Sequence, residues 1–534
     1  MKTIRFMLIS LVLAIGLGSV SRPTLAQKEA KLIGVEDGLF NEHLCADIIG
    51  NSVIVGAHSK NIAKIYVGDG KKWNQQAELT TGPEANAFGW AVSLTGRHDR
   101  ASANTAIVGA PSDNHAGAKK NAGSAFIFVR SGDSWKQQAK LVAPDPEVED
   151  AFGSAVSIDR NTAIVGVPMD DEAGRDAGSA YIFVRDGNAW KQQAELAPQD
   201  LVGFDAFGGA VSVHGNTAIV GASGHSHSGL RFPGAAYVFV REGTTWVEQA
   251  KLTADDAGSS DSFGKSVALF NDTIIVGAPI ADIEGKKDAG AAYVFAREGD
   301  TWKQQVKLIR KAERKGDQFG FGVAVAGNIA IVGANGVEDA GVGSGAAYGF
   351  ARVDGVWEEE KKVQPEDEGP RIKFGAWVAI SSGMVAVSAH NAPNEDAWLN
   401  RGNGAAAYVY NSVEDFGTPP FLAVEPFGLR VTTLGRVKRT ALLQNFPNPF
   451  NPETWLPYRL AADAPVTLGI YNVRGQPVRE LNLGVQKAGG YLTRETAAYW
   501  DGRDHVGETV SSGIYFYTLH AGAFQATRRM LILK

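Results

Sequence analysis

From residue 28 to 412 the chain is written in short apolar or alternating runs, grouped in fours and separated by turn residues. One group shows the pattern: Ala155 to Ile158, Thr162 to Val167, Gly178 to Arg185 and Trp190 to Leu196. Runs of this length and period predict strands, not helices. The fourth run alternates, with Trp190, Gln192, Ala194 and Leu196 on one face and Lys191, Gln193 and Glu195 on the other, which predicts a half-buried outer strand.

The groups repeat. Phe-Gly recurs at Phe88-Gly89, Phe152-Gly153, Phe207-Gly208, Phe263-Gly264, Phe319-Gly320 and Phe374-Gly375, at spacings of 64, 55, 56, 56 and 55 residues. A second marker follows each: Ile107-Val108-Gly109, Ile164-Val165-Gly166, Ile219-Val220-Gly221, Ile275-Val276-Gly277, Ile331-Val332-Gly333 and the weaker Val385-Ala386-Val387-Ser388. An earlier copy, Ile54-Val55-Gly56 after a degenerate Phe40-Asn41, makes seven units. Seven four-stranded units predict an all-β fold, a seven-bladed β-propeller. Trp73, Trp135, Trp190, Trp246, Trp302 and Trp357 each open a fourth strand, but the seventh unit has none after Tyr408-Val409-Tyr410. Glu29-Ala30-Lys31-Leu32 matches Gln138-Ala139-Lys140-Leu141, so the N-terminal segment is expected to complete the last blade and remove an open edge.

Composition sharpens this picture. The 63 glycines in 534 residues follow no collagen-like period and read as turns. Lys2 and Arg5, an apolar run from Phe6 to Val20 and the small-residue site around Ala26 read as a signal peptide over residues 1–26. The run of 15 residues is short for a spanning helix, which needs roughly 20. Cys45 is the sole cysteine, which excludes an internal disulfide framework and a cysteine-based zinc cluster. The net charge of −6 becomes −9 once Lys2, Arg5 and Arg22 leave with the signal, so nucleic acid is not an expected partner.

The markers resemble those of the FG-GAP repeat family, the blades of integrin α-subunit propellers and their bacterial relatives. Phe-Gly, Val-Gly-Ala-Pro at Val108 to Pro111 and Val276 to Pro279, and Gly-Ala-Ala-Tyr-Val-Phe at Gly234 to Phe239 carry the resemblance. It implies an extracellular recognition scaffold. Many such repeats hold calcium in an Asp-x-Asp-x-Asp-Gly loop before the Val-Gly strand. Here that place is taken by tight connections such as Gly50-Asn51, Gly215-Asn216 and Gly327-Asn328, too short to supply the 6–8 oxygens calcium takes. No cofactor, calcium included, is therefore expected.

The connections between the second and third strands vary most, and loops on a rigid scaffold carry function. His225, His227, Arg231 and Phe232 in the fourth unit, and His390, Trp398, Asn400 and Arg401 in the seventh, break the repeat and are the candidate ligand-binding residues. Asp170, Asp171, Glu172 and Asp176, with Asp282, Glu284 and Asp288, lack metal-ligand spacing and read as solvated loop acids. Trp90 and Trp377 fall on inner strands and read as filling the central channel. Asp317 in Lys315-Gly316-Asp317 shares its place with Asp150, Asp205 and Asp261, so it belongs to the repeat's own turn.

Residues 413–440, with Gly417-Thr418-Pro419-Pro420 and a basic stretch, read as a linker. From 441 to 534 the alternation resumes, with Asn472 to Gly475 as a turn. Asn445-Phe446-Pro447-Asn448-Pro449-Phe450-Asn451-Pro452, Trp500-Asp501-Gly502, Ser512-Gly513-Ile514-Tyr515 and the terminal Met530 to Lys534 resemble the immunoglobulin-like C-terminal sorting domains of type IX secreted proteins. The resemblance implies a small immunoglobulin-like β-sandwich, export through the outer membrane by that secretion machinery, and release or attachment at the cell surface. No Gly-x-Ser-x-Gly elbow, His-Glu-x-x-His or phosphate loop is present. The expectation is a binding or adhesion protein with an extracellular protein or glycan ligand, not an enzyme. The alternative, a secreted polysaccharide-active or other hydrolytic enzyme, requires paired acids from different loops converging in one pocket with a perturbed pKa.

Overall fold

The computed structural model describes residues 30–35, 44–68, 72–81, 85–96, 103–114, 120–310, 314–353, 355–365, 371–381, 383–392, 404–411, 440–443, 445, 453–491 and 496–532. Strands dominate, and no helix among these residues is long and apolar enough to cross a membrane. Between residues 30 and 411 the described residues form seven four-stranded antiparallel sheets. In the third unit the strands are Ala155–Asp159, Thr162–Val167, Ser179–Asp186 and Ala189–Leu196, in that order across the sheet. The first strands of successive units touch one another in turn, and Val378–Ser381 of the last unit touches Leu44–Ile49 of the first, so the sheets radiate from a common axis. This is the arrangement of a β-propeller.

The two sequence markers meet at the unit boundaries. The Phe of each Phe-Gly is buried and packs against two aromatic rings of its own unit's third strand, as Phe207 does edge-on against Tyr237 and Phe239 at 5.6 and 6.2 Å. The following glycine has positive φ, 90° at Gly208. A Cβ on Gly166, the Val-Gly glycine of the preceding unit, would stand 1.9 Å from the Gly208 carbonyl oxygen. The same contact pairs Gly221 with Gly264 and Gly277 with Gly320, each at 2.0 Å. Only glycine permits this backbone approach, which is why both markers persist.

A second interlock runs around the outer rim. Trp135, Trp190, Trp246 and Trp302 each donate an indole N–H, at 3.0 Å, to Gln76, Gln138, Gln193 and Gln249 of the preceding unit's outer strand. Here the structure corrects the strict alternation expected of the fourth strand. The register skips a residue opposite Ile182 and Phe183, a bulge that turns Gln193 toward Trp246 and breaks the period of two. The last sheet is closed by the N-terminal strand Ala30–Val35, which pairs antiparallel with Gly404–Asn411. Leu32 is buried there in a cluster shared with the first unit.

Residues 441–532 build a separate core around Trp500, Tyr458, Tyr517, Leu468 and Met530. Its sheets have four, three and two strands, the largest ordering Pro477–Gln486, Ala464–Asn472, Gly513–Ala521 and Phe524–Ile532. The turn after Ala464–Asn472 is held by the Asn472 carboxamide, which accepts from the Arg474 and Gln476 amides at 3.0 and 3.1 Å. Residues 1–26, expected to be a leader, and nearly all of 413–440, expected to be a linker, lie outside the described residues.

Candidate functional site

Strand direction decides what can share a face. The connections from second to third strand and those from one unit to the next emerge at one end of every sheet, while the tight hairpins emerge at the other. The first kind are the aperiodic ones. Within them, Asp150, Asp205, Asp261 and Asp317 each accept from the backbone N–H three residues earlier, at 2.5 to 2.9 Å. Asp317 is thus a turn residue of the repeat, further held by Arg310 at 2.8 Å.

The fourth unit carries a polar network at this end. His225 is buried and occupies the place held by Asp113 and Asp170 in the two preceding units. Its Nδ1 lies 2.7 Å from Asp205 Oδ2 and its Nε2 lies 2.6 Å from Lys251 Nζ. An ammonium only donates, so at this contact Nε2 faces it as the acceptor and Nδ1–H donates to Asp205. Lys251 also pairs with Asp200 at 2.7 Å and lies over the Tyr237 ring, whose hydroxyl donates to Asp200 at 3.0 Å. Despite the cost of burial, the Lys251 and Tyr237 bonds hold Asp200 below the usual carboxylate range. His227 lies partly buried beside His225, donating from Nε2 to the Gly234 carbonyl at 3.2 Å; burial lowers its pKa.

Arg231 and Phe232 are the exposed part of this loop, with the guanidinium 5.4 Å from the Phe232 ring centroid. Phe232 has φ 55°, where the equivalent residues of other units are Asn121, Asp176, Asp288 and Gly343. Phe204, not singled out from the sequence, repeats this in the preceding turn. It has φ 72°, is 51% exposed and lies under Arg175 at 5.5 Å, where other units place Glu149, Ser260, Gly316 and Arg371. Left-handed backbone costs a bulky side chain about 1–3 kcal/mol, and two solvent-facing phenylalanines recover little of it by packing. The signal was available in the sequence as an aromatic residue breaking a small or polar column.

His390 is buried on Met384–Ala392. Trp398, Asn400 and Arg401 lie outside the described residues. Trp377 is 39% exposed and Trp90 half-buried against His58 at 4.9 Å, so neither is sealed into a filled channel as expected.

The third unit is acidic at the same end. Lys140, Lys251, Lys307 and Lys362 recur next to last in the outer strands, each within 2.6 to 2.7 Å of a carboxylate. In the third unit this position is Glu195, opposite Tyr181. Burial, with Asp170, Glu147 and Asp171 adding like charge, pushes Asp150 up to about 6. Burial, with Glu172, Asp145 and Asp170 adding, also raises Glu195. Among the described residues no group of three or more His, Cys, Asp or Glu side chains is arranged to hold a metal ion.

A sequence profile for the FG-GAP repeat matches residues 73–128, 135–183, 190–239, 246–295 and 302–350. Each matched segment starts at an outer-strand tryptophan and ends on the third strand of the next sheet, so the sequence repeat straddles two sheets. A search of curated proteins finds no match. Among solved structures, a chain from "Crystal Structure of Mitotic Checkpoint Complex" is 11% identical, covering 77% of this chain and 98% of its own at a TM-score of 0.44. Residues 73–350 therefore carry FG-GAP repeats, and the sheets they build support an FG-GAP β-propeller.

Proposed function

We propose that the protein is an exported recognition protein, a seven-bladed propeller whose loop-bearing face binds an extracellular protein or glycan. Its C-terminal immunoglobulin-like domain, residues 441–534, serves as the signal for outer-membrane secretion or attachment. The observation that carries the recognition reading is the pair of exposed phenylalanines, Phe204 and Phe232, each in left-handed backbone beneath an arginine. Strain retained at an exposed position points to a use outside the fold. Paired aromatic and arginine side chains are enriched where proteins contact partners.

Probing arrays of extracellular glycans and proteins with the full chain and with Arg231→Ala/Phe232→Asp tests this reading. Ligands retained by the wild type and lost by the variant support it; an empty array, or an identical pattern for both, overturns it. Export is tested separately by removing residues 441–534, which should leave the truncated chain in the cell envelope.

The hydrolytic alternative has one observation in its favour: burial, with like charge from Asp170 on a different loop adding, pushes Asp150 up to about 6. Asp261 and Asp317 hold the same turn and are also raised by burial. The perturbation thus follows the repeat, and binding is the better-supported function.

A further inference from the structure

Two polar links recur between neighbouring units, and both fail between the fifth and the sixth. The first joins a third-strand tyrosine to an acid of the preceding turn: Tyr181, Tyr237 and Tyr293 donate to Asp145, Asp200 and Asp256 at 3.5, 3.0 and 3.0 Å. At the sixth unit that acid's place, four residues after the leucine that ends the outer strand, is Ala312, and the buried Tyr348 hydroxyl has no partner among the described residues. The second link is the rim bond from tryptophan to glutamine. Gln305 is present, but it lies exposed and the buried Trp357 N–H is unpaired. Next to Gln305 stands Val306, where the four units whose glutamine accepts carry Ala77, Ala139, Ala194 and Ala250. Trp73 is the other unpaired indole among the described residues, but Glu29, its counterpart position on the closing strand, lies outside them.

The seam opens as a groove. Outer strands of successive units touch from the first to the fifth, and that contact thins between Thr301–Leu308 and Val356–Val363. The groove between them has a volume of about 400 Å³, within the range of ligand sites. Val306, Leu308 and Ile309 line one wall, and Phe350 with Trp357 the other. Trp357 is only 7% exposed, and Tyr348 shares its apolar cluster with Phe350 and fifth-unit residues, so the sixth unit turns two buried donors without acceptors toward the fifth. A buried donor left unpaired is costly, and the group that satisfies the same indole at four other boundaries is an amide carbonyl oxygen. Charge marks one bank. Glu358 and Glu359 line the groove and Glu360 follows them, where the fifth unit has Lys303, Gln304 and Gln305. Lys307, on the opposite bank, is already paired with Asp256 at 2.7 Å.

We propose that this groove docks an extended, basic segment of a partner protein. An apolar side chain of the segment lies on Val306, Leu308 and Phe350, a backbone carbonyl accepts from Trp357 Nε1, and a neighbouring lysine or arginine meets Glu358 and Glu359. Amide oxygen, apolar body and positive charge together are what a peptide strand of alternating apolar and basic residues offers. The groove lies between different units from those that carry Phe204 and Phe232, so the inference stands or falls separately from the loop-bearing face.

The test is fluorescence anisotropy of the full chain with three labelled nonapeptides, in which leucine alternates with lysine, with glutamate or with serine, at an ionic strength of about 0.1 M. The lysine peptide should bind at least tenfold more tightly than the other two. Trp357→Phe keeps the ring and removes the N–H; it should weaken the lysine peptide about threefold or more while melting as the wild type does, because the free protein loses no bond. Trp246→Phe, which breaks the bond to Gln193, should melt lower and bind as the wild type does. Glu358→Gln/Glu359→Gln should weaken the lysine peptide at least tenfold, and Arg231→Ala/Phe232→Asp should leave its binding unchanged. No binding of the lysine peptide, equal binding of all three, or indifference to Trp357→Phe or to Glu358→Gln/Glu359→Gln overturns the proposal. A dimer of the full chain that Trp357→Phe dissociates, with no peptide bound, would assign the groove to a second copy and overturn it as well.

Discussion

In the fifth unit Lys307 reaches Asp256 at 2.7 Å across the ring of Tyr293, whereas in the third unit the same outer-strand position is Glu195, facing Tyr181 with Asp145 and Asp170 close by. The two units share most of what else holds them in the ring. The third accepts the Trp246 indole N–H on Gln193 and the fifth gives its own Trp302 N–H to Gln249 of the fourth, although the buried Trp357 N–H of the sixth unit makes no such bond to the fifth. In each, a Cβ on the Val-Gly glycine would stand 1.9 or 2.0 Å from the next Phe-Gly carbonyl oxygen. The boundaries between units are fixed by close packing, while the loop-bearing end tolerates a reversal of charge. Features at that end are therefore informative about binding, and features at the boundaries are not.

The largest effect should come from breaking the shared part. Deleting residues 30–35 removes the outer strand of the last sheet with buried Leu32, and should cost roughly 4–8 kcal/mol in denaturant unfolding. Unchanged unfolding would mean that the ring is closed without that strand. Gly166→Ala and Gly277→Ala should each cost about 3 kcal/mol or more, and by similar amounts, because the added methyl meets backbone in both units. Unequal costs would show that the boundaries are not equivalent.

The next effect separates the units. Asp150 has a folded-state pKa near 6, raised above its unfolded value, so its contribution to stability is complete below about pH 4 and is lost as pH rises through 6. Stability should decline across that window by at most about 3 kcal/mol, and Asp150→Asn should flatten the decline. A profile identical to that of the wild type would remove Asp150 from the account. Smaller still, Glu195→Lys should restore the partner that Asp145 lacks and raise stability by about 0.5–1 kcal/mol at low salt, with the gain vanishing near 1 M salt. Lys307→Glu should do the reverse.

Most of this architecture is legible in the sequence, because packing at the boundaries demands particular residues. Phe-Gly, Val-Gly and the tryptophan column have one role each, and the match of Ala30-Lys31-Leu32 to an outer strand foretells the pairing with Gly404–Asn411. The bulge at Gln193 is not legible, since it depends on where Trp246 of another unit projects. The loop residues divide in the same way. Arg231 and Phe232 are found where polar chemistry alone suggested, but His225 looks like a surface residue and is enclosed by Asp205 and Lys251, a fact set by chain segments 20 and 26 residues away. Phe204 breaks a column of small or polar residues in the sequence, but its left-handed backbone is visible only in the structure.

On the proposed function, the loop-bearing face departs from the repeat for the sake of a ligand. The most direct test of this claim replaces Phe204 by Ser and Phe232 by Asp, the residues other units carry at these two places, and measures melting temperature and array binding on the same preparation. Relief of left-handed strain at two sites should leave the melting temperature unchanged or higher, while binding falls at least tenfold. A lower melting temperature with binding intact would contradict the claim and make both phenylalanines part of the fold.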